Sequence, residues 1–376
     1  MRNACAYGRW FATVALILAQ GLPALSADGG RTQAPVPVIH ITDLHRPHND
    51  PDDHWDLACV YALAHRGDIE LKAVVIDYPP ENQPEWNPDL AAVAQMNRIT
   101  GLAVPVVVGT PHPVKSRDDA QPYASAADHQ GIDLILDILR TSDRPVAINV
   151  IGGCRDIAVA GRKAPDLFAR NCAGVYLNAG TGEPKKAANA RLEYNVTLDR
   201  FAYEAVFDLP CPVYWMPCFE TLDGSEWSRP AEFGTYYRFR QGEILPHFSN
   251  RVQNYFAYMF ARRTDQNWLR VLEGKPDEAV LADQAAKDRN MWCTAGFFHA
   301  AGYTITPDGA TPGRNADAGD AVFSFDPIRL AGTGPDCSDW TPDPNAANRF
   351  VFHVRNPHRY GPAATQAMKS LLVTLP

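Results

Sequence analysis

The chain has 376 residues, of which 46% are hydrophobic, and this combination predicts a globular protein with a large core. Its formal net charge of −8 excludes a typical nucleic-acid binder, because binding to phosphates requires an excess of Lys and Arg. The eight cysteines show no C-x-x-C spacing, so the sequence contains no common zinc or redox motif.

The first 27 residues predict a secretory signal peptide. Arg2 and Arg9 precede the apolar run Trp10 to Leu18, and small residues lead to a cleavage site after Ala27. We therefore expect residues 28–376 to form a single secreted or periplasmic domain. Because no other apolar run is long enough to cross a bilayer, we expect no membrane span.

Short apolar runs alternate with amphipathic segments through the first part of the mature chain. The predicted strands are Val38 to Ile41, Leu71 to Ile76, Val104 to Val108, Val146 to Ile151, Val175 to Leu177 and Val213 to Met216. The predicted helices are His54 to His65, Pro88 to Ile99, Ile132 to Leu139, Asp156 to Arg170 and Leu198 to Phe207. This alternation predicts an α/β fold of the Rossmann type, with a mainly parallel sheet flanked by helices.

The pattern changes after Cys218. Phe248 to Phe260 and Asp277 to His299 each have a helical pattern, and together they predict a helical cap over the sheet edge. The end of the chain predicts strands over Ala321 to Leu330 and Phe350 to Val354, a loop over Gly332 to Asn348, and a helix over Ala363 to Leu372.

An acidic stretch connects the first predicted strand to the first predicted helix. Asp43 follows the strand, and Asp50, Asp52 and Asp53 precede or open the helix. Helix capping explains one or two of these carboxylates, since Asp is favoured at helix starts. It does not explain Asp43 at a buried strand end, where like charges are costly without a cation, so we interpret the stretch as a metal site.

Three motifs in this order resemble the nucleoside hydrolase family, inosine-uridine preferring type. Asp43 and Asp52-Asp53 resemble the family's D-x-D…DD calcium motif, and Gly152 to Ala158 resembles its G-P-L-T-N-[IL]-A turn. Glu193-Tyr194-Asn195…Asp199 resembles its E-F-N…D segment. The resemblance extends from about Val38 to the last helix and implies the nucleoside hydrolase fold.

The chain also departs from the family pattern. Ile41 stands at the family's first aspartate, and His45 to His48 are four extra residues in the loop. Asp77-Tyr78-Pro79-Pro80 replaces an expected Gly-Asn after the second strand. The family's late His-Asp pair, which supplies a calcium ligand and an acid for the leaving group, is absent, and we take Asp288-Arg289-Asn290 as its equivalent.

The resemblance implies a calcium site and a site for a riboside. The expected ligands of Ca2+ are Asp43, Asp52, Asp53, the backbone carbonyl of Arg155, and either Asn290 or Asp288. Asp43 or Asp52 would accept a proton from the attacking water. The expected substrate-binding residues are Asn178, Glu193, Asn195 and Asp288.

The resemblance implies hydrolysis of the N-glycosidic bond of ribonucleosides or related ribosides. The alternative is a non-catalytic protein that binds ribose or nucleosides and keeps the metal site. A second alternative, a zinc site, comes from the imidazoles of His40, His45, His48 and His54. Asn195 also fits a glycosylation acceptor, Asn195-Val196-Thr197. The expected partner is a small riboside or sugar, and a homo-oligomer is left open.

Overall fold

The computed structural model describes residues 34–47, 51–228, 231–312, 319–332, 334 and 336–376. The expected signal peptide, residues 1–27, lies outside the described residues, as do His48 and Asp50. Within the described part of the chain, no helix combines the length and the apolar character that crossing a bilayer requires.

The described strands and helices follow in chain order. The strands are β1 Val36–Thr42, β2 His45–Arg46, β3 Ile69–Ile76, β4 Asn87–Pro88, β5 Val106–Val108, β6 Val146–Val150, β7 Cys172–Asn178, β8 Val213–Met216, β9 Tyr237–Arg240, β10 Asp288–Met291, β11 Tyr303–Thr306, β12 Gly309–Pro312, β13 Phe323–Leu330, β14 Trp340–Pro342 and β15 Arg349–Val354. The helices are α1 Asp52–His65, α2 Leu90–Thr100, α3 Gln130–Thr141, α4 Arg155–Lys163, α5 Pro165–Asn171, α6 Tyr194–Leu198, α7 Arg200–Val206, α8 Asn250–Phe260, α9 Glu278–Ala285, α10 Thr294–Ala300 and α11 Pro357–Leu372.

Nine of these strands form one sheet in the order β14-β13-β15-β8-β7-β6-β1-β3-β5. Strand β1 lies between β3 and β6 and runs parallel to both. Strand β15 runs parallel to β8, whereas β13 is antiparallel to its neighbours β15 and β14. The mainly parallel sheet confirms the predicted α/β class, and β1 lies deep inside it.

Hydrophobic side chains cover both faces of the sheet. Because side chains alternate along a strand, Val38 of β1 belongs to one cluster and Ile39 to the other. The first cluster contains side chains of α1, α2, α8, α10 and α11, and the second contains side chains of α3, α4, α5 and α7. Residues Pro35–Pro376 form one compact unit around this sheet.

The first helix buries ten of its side chains, which explains why it lies directly against the sheet. Pro51 occupies its N-cap position and makes no side-chain cap hydrogen bond. Asp52 and Asp53 lie in the first turn, where the helix dipole favours carboxylates. Neither aspartate is the N-cap residue, so capping does not account for them.

The prediction of one helix over Asp277 to His299 is wrong. The segment forms α9, strand β10 and α10, because Asp288–Met291 pairs with Tyr237–Arg240 in an antiparallel ladder. The helix predicted over Asp156 to Arg170 is also divided, into α4 and α5. Pro165 begins α5, and proline disrupts a continuous helix because it lacks an N–H donor and its ring clashes with the preceding turn. The loop predicted over Gly332 to Asn348 contains the short strand β14.

Candidate active site

The carboxyl ends of the central strands open onto one large cavity. In parallel α/β sheets this edge is the usual ligand site, because the strand-to-helix connections leave a crevice there. The cavity has a volume of about 780 Å³. Its polar and charged lining residues are Asp43, His45, Asp52, Asp53, Gln83, Asn178, Arg191, Glu193, Asn195, Thr197 and Glu226.

Three aspartates at the connection from β1 to α1 line this cavity. Asp43 and Asp53 share a side-chain hydrogen bond, and the hydroxyl of Thr42 also donates to Asp53. Burial and the neighbouring charge of Asp77 raise the pKa of Asp43 to about 8, and the charge of Asp52 acts in the same direction. Because like charges repel, these neighbouring carboxylates are costly together unless a proton or a cation compensates their charge.

Asp77 joins this group from the end of the neighbouring strand β3. Its carboxylate accepts a hydrogen bond from the backbone N–H of Gly153. Burial and the charge of Asp156 raise its pKa well above the usual range. The sequence signal for Asp77 is its position directly after the second long strand, although the comparison of motifs marks it only as a departure from the family pattern.

Gly152 allows Asp43 and Asp77 to come together. A Cβ atom added at Gly152 would lie 2.4 Å from Oδ2 of Asp77 and 2.9 Å from Cβ of Asp43. Both distances are shorter than van der Waals contact, so any side chain here would displace the two aspartates. The glycine at the start of the G-x-x-x-x-x-A turn is therefore a requirement of the acidic site.

Another buried aspartate, Asp56, lies on α1. It follows Asp53 by three residues, a spacing that places both on one face of a helix. Burial and the charge of Asp53 raise the pKa of Asp56 well above its usual range, and the thiol of Cys293 donates a hydrogen bond to it. Asp56 is not among the site residues expected from the sequence, although its i, i+3 spacing from Asp53 is a signal for it.

The expected substrate-binding residues Asn178, Glu193 and Asn195 all line the cavity. Asn178 Nδ2 donates to the carbonyl of Met216 over 2.8 Å. Asn195 Nδ2 donates to the carbonyls of Ile151 and Asn178 over 3.2 and 3.0 Å. These bonds connect α6 to the ends of β7 and β8 and to the residue that follows β6.

Glu193 is the N-cap residue of α6 and points its carboxylate toward backbone donors. It accepts hydrogen bonds from the N–H groups of Gly180 over 2.9 Å and of Asn195 over 3.0 Å. Burial raises its pKa, and these donors oppose that shift because they stabilise the ionised form. The backbone N–H of Val196 and the thiol of Cys218 also hydrogen-bond to Glu193, so its carboxylate is held in one orientation at the cavity lining.

The structure does not bring Arg155, Asp288 and Asn290 to the lining of this cavity, as far as its residues are described. Arg155 is the first residue of α4, and its guanidinium lies 3.3 Å from the carboxylate of Asp199. It lines a small neighbouring pocket together with Asp77.

Asp288 and Asn290 belong to β10, where they pair with side chains of the neighbouring segment. Asp288 forms an ion pair with Arg240 at 3.2 Å. Asn290 Oδ1 accepts hydrogen bonds from Tyr236 over 3.1 Å and from Arg238 over 3.0 Å. Both side chains therefore contact the segment that contains β9, and their expected roles as a calcium ligand or a substrate contact stay predictions.

The residues before α10 supply an aromatic wall instead. Trp292 lines the cavity beside Phe219 and Trp227, and these three residues are called the aromatic corner below. Each pair of rings is close to perpendicular. The centroid distances are 4.9 Å for Phe219–Trp227, 5.9 Å for Phe219–Trp292 and 6.3 Å for Trp227–Trp292. None of the three is among the site residues expected from the sequence, because isolated aromatic residues are far more often part of a core.

The imidazoles expected for a zinc site are separated. His45 lines the cavity and its Nε2 donates to the carbonyl of Asp77 over 3.1 Å. His54 contacts the carboxylate of Asp89 at 3.4 Å. His40 lies in the sheet against Phe297, with a distance of 5.7 Å between ring centroids. These three histidines therefore do not converge on one point.

Among the residues with described positions, no group of three or more His, Cys, Asp or Glu side chains is arranged to hold a metal ion. The chemistry of the donors is nonetheless that of a hard cation site, since Asp43, Asp52 and Asp53 offer carboxylate oxygens and no imidazole or thiolate. A cation beside Asp43 and Asp53 would compensate the charge of these neighbouring carboxylates. The three aspartates fit calcium in their chemistry, and their side chains must rearrange to surround it.

Comparison with known proteins agrees with this geometry. The family model described as inosine-uridine preferring nucleoside hydrolase matches residues 49–286. None of the curated proteins compared with the chain matches it in sequence.

Two solved structures share the fold. One is the purine-preferring ribonucleoside hydrolase from Gardnerella vaginalis, with 14% identity, 89% of this chain and 99% of that chain covered, and a TM-score of 0.52. The other is the effector protein XOO4466, with 17% identity, 92% and 94% of the two chains covered, and a TM-score of 0.53. At such identities the likeness concerns the fold alone, whereas the family match spans most of the chain and includes Asp52, Asp53, Gly152 and Glu193. The chain belongs to the inosine-uridine preferring nucleoside hydrolase family and is a divergent member of it.

Proposed function

We propose that this protein hydrolyses the N-glycosidic bond of ribonucleosides or related ribosides and depends on calcium. One observation carries the proposal. A single cavity of about 780 Å³ gathers Asp43, Asp52 and Asp53 from one side and Asn178, Glu193 and Asn195 from the other. Hydrolysis of a riboside requires carboxylates near the attacking water and polar groups that bind the hydroxyls of the sugar.

In this proposal Asp43 accepts the proton of the attacking water. Asp43 follows β1 and lines the cavity beside Asp52 and Asp53, which places a carboxylate acceptor among the groups that would hold the ion and its water. Calcium held by Asp43, Asp52 and Asp53 would supply positive charge beside that water, which makes its proton easier to remove.

Asp43, Asp52 and Asp53 are called the acidic floor below. The sugar would lie between this floor and the residues at the end of β7 and the start of α6. Glu193 is fixed by the backbone donors of Gly180 and Asn195, so its carboxylate keeps a constant orientation at the cavity lining. Asn195 is fixed in turn by the carbonyls of Ile151 and Asn178. Such preorganised groups can orient sugar hydroxyls at little entropic cost.

The reaction forms a bond from water oxygen to the anomeric carbon and breaks the bond from that carbon to nitrogen. The electron pair leaves with the nitrogen, and the proton of water goes to Asp43. The transition state has oxocarbenium character, which neighbouring carboxylates stabilise electrostatically. A neutral base leaves easily only if its ring is protonated or otherwise withdraws electrons.

The test is release of ribose from inosine and uridine, measured as reducing sugar with calcium and after treatment with a chelator. We expect release by the wild type with calcium, loss of release with the chelator, and loss of release in Asp43→Asn under both conditions. Unchanged release in the chelator would refute the calcium dependence, and unchanged release in Asp43→Asn would refute the assigned base.

A second candidate function is a non-catalytic protein that binds ribose or a nucleoside. One observation favours it: the segment before α10 presents Trp292 to the cavity, where an acid would assist departure of a purine. Calorimetric titration with ribose and inosine, alongside the sugar assay, separates the two functions. Binding without release of ribose would support the second candidate and reject the first.

We also propose that the protein is exported after removal of residues 1–27. The support is the sequence pattern of Arg2, Arg9 and the apolar run that follows. Determining the N-terminus of the protein recovered from the periplasm or medium tests this, with Asp28 as the expected first residue. Recovery from the cytoplasm with Met1 intact would contradict it.

A further inference from the structure

The three rings of the aromatic corner belong to different parts of the chain but meet in one place. Phe219 follows β8, Trp227 lies in the connection to β9, and Trp292 precedes α10. Their interplanar angles of 72°, 84° and 76° show that the rings pack edge to face, and all three line the cavity. Trp227 remains 46% exposed, so the corner opens to solvent and is accessible to a ligand.

The charge of the described cavity lining is mainly negative. Carboxyl groups come from Asp43, Asp52, Asp53, Glu193 and Glu226, whereas a guanidinium comes from Arg191 alone. That guanidinium is paired with Glu226 at 2.5 Å. Even with a divalent cation against the three aspartates, these described residues leave no excess of positive charge for an anionic ligand.

Aromatic faces carry a negative quadrupole and attract cations, and Trp does so most strongly. Several aromatic rings together bind ligand cations that have no N–H or O–H group to donate, such as quaternary ammonium groups. A flat neutral base would gain stacking from one ring at a time. A flat cationic ring gains both stacking and electrostatic attraction from two tryptophans.

From this geometry we propose that the cavity takes ribosides whose base is a positively charged heteroaromatic ring, such as an N-alkylated purine or an N-ribosyl pyridinium. The inference rests on the proposed function and names its substrate class. The sugar lies on the acidic floor, and the cationic ring lies in the aromatic corner.

The chemistry of departure agrees with this class. Water adds to the anomeric carbon, its proton goes to Asp43, and the electron pair of the broken bond neutralises the ring nitrogen. The products are ribose, a neutral heteroaromatic base and one proton. No acid has to protonate the leaving group, which suits a corner made of phenyl and indole rings.

Recognition can be tested without turnover by calorimetric titration of two small probes, 1-methylnicotinamide and nicotinamide. They have nearly the same ring, and only the first is a cation. We expect the wild type to bind the cation about tenfold more tightly, as a desolvated cation–π contact provides. Equal binding of the two probes would overturn the inference.

Trp292→Leu and, separately, Trp227→Leu should each remove most of this preference. Trp268→Leu is the matched control, because Trp268 is a partly buried tryptophan outside the cavity lining. Circular dichroism melts of all three variants show whether each remains folded, and the more exposed Trp227 gives a usable variant if Trp292→Leu unfolds. A preference that survives both cavity substitutions would overturn the assignment to the corner.

Hydrolysis of inosine and 7-methylinosine, which differ by one methyl group and one positive charge, separates this inference from the proposed function. Release of ribose from inosine together with equal binding of the two probes leaves the proposed function intact and refutes the cationic substrate class. A tenfold binding preference without ribose release from either nucleoside supports the corner and refutes the hydrolase.

Discussion

The two walls of the cavity differ in how closely they follow the family pattern. The acidic floor, Asp43 with Asp52 and Asp53, comes from one short connection between β1 and α1. The opposite wall comes from three separate segments and ends in Trp292 before α10. The floor keeps Asp43 and the Asp52-Asp53 pair of the resemblance, although Ile41 stands at the family's first aspartate, whereas the wall presents aromatic rings.

Under the proposed function, the floor would act on atoms that all ribosides share. The wall would act on the leaving group, which varies among substrates. We therefore expect substitutions in the floor to abolish function and substitutions in the wall to change selectivity.

The largest expected effect belongs to the floor. Asp53→Asn removes one negative charge from the group of three aspartates. Loss of a residue that only hydrogen-bonds to a metal ligand lowers metal affinity or activity roughly 10- to 100-fold. Because Asp53 is an expected ligand itself, calcium affinity and ribose release should fall by more than that. Thermal melts with and without calcium measure this, since an ion that binds the native state raises its stability. Asp288→Asn is the control and should respond to calcium like the wild type. Equal calcium stabilisation of Asp53→Asn and wild type would remove the main support for the metal site.

His40 joins the two regions, because its ring on β1 packs against Phe297 of α10. It is fully buried, and neither ring nitrogen has a described hydrogen-bond partner. Burial lowers its pKa from 6.5 to about 3. Below pH 6.5 the unfolded chain therefore binds a proton that the native chain does not, and stability should fall as the pH drops toward 3.

The expected slope is about 1.4 kcal/mol per pH unit between these two values. Urea unfolding of wild type and His40→Phe at pH 7, 6, 5 and 4 measures it. The variant should lack this component, while the buried carboxyl groups affect both proteins equally. Parallel stability curves for the two proteins would show that His40 is accessible to protons in the native state.

A smaller effect is expected at the boundary between floor and wall. Asn195→Ala leaves the carbonyls of Ile151 and Asn178 without their side-chain donor and should lower the free energy of unfolding by about 2 kcal/mol. Urea denaturation measures the change, and Asn267→Ala, at an exposed position, is the control. A loss below 0.5 kcal/mol, on the order of a surface substitution, would mean that these bonds do not hold α6 in place.

The smallest effect is expected on β10. Asn290→Ala removes an acceptor of Tyr236 and Arg238 on the partly exposed pair of strands, which should cost about 0.5 to 1 kcal/mol. Calcium stabilisation, compared in the same melts, should not change. A clear loss of the calcium effect would restore Asn290 as a ligand and require β10 to move toward Asp43.

The sequence predicted the floor because its evidence is local. A buried strand, Asp43 and a helix that begins with Asp52-Asp53 follow one another within a few residues, so chain order alone implies their proximity. The parallel sheet was also predicted from chain order, because Val38 to Ile41 and the later apolar runs alternate with predicted helices. Asp77 was equally accessible by this reasoning, as it ends the strand next to β1.

The wall could not be predicted in this way. Trp227 and Trp292 are 65 residues apart and meet through tertiary packing that no local pattern encodes. Asp288 and Asn290 were misplaced because a helical pattern over Asp277 to His299 ignored the pairing of β10 with β9. Pairing between distant segments depends on cross-strand contacts, which outweigh helix propensity.

The order of strands in the sheet has a consequence for shortened chains. The family match ends at residue 286, yet β15 continues the sheet beyond β8 and comes after that point. A protein cut there would leave β8, with the buried side chains of Val213 and Trp215, as an open strand edge. Unpaired backbone N–H and C=O groups on an apolar edge recruit strands from other molecules. Shortening the chain to its recognised segment would therefore convert a folded protein into one that self-associates.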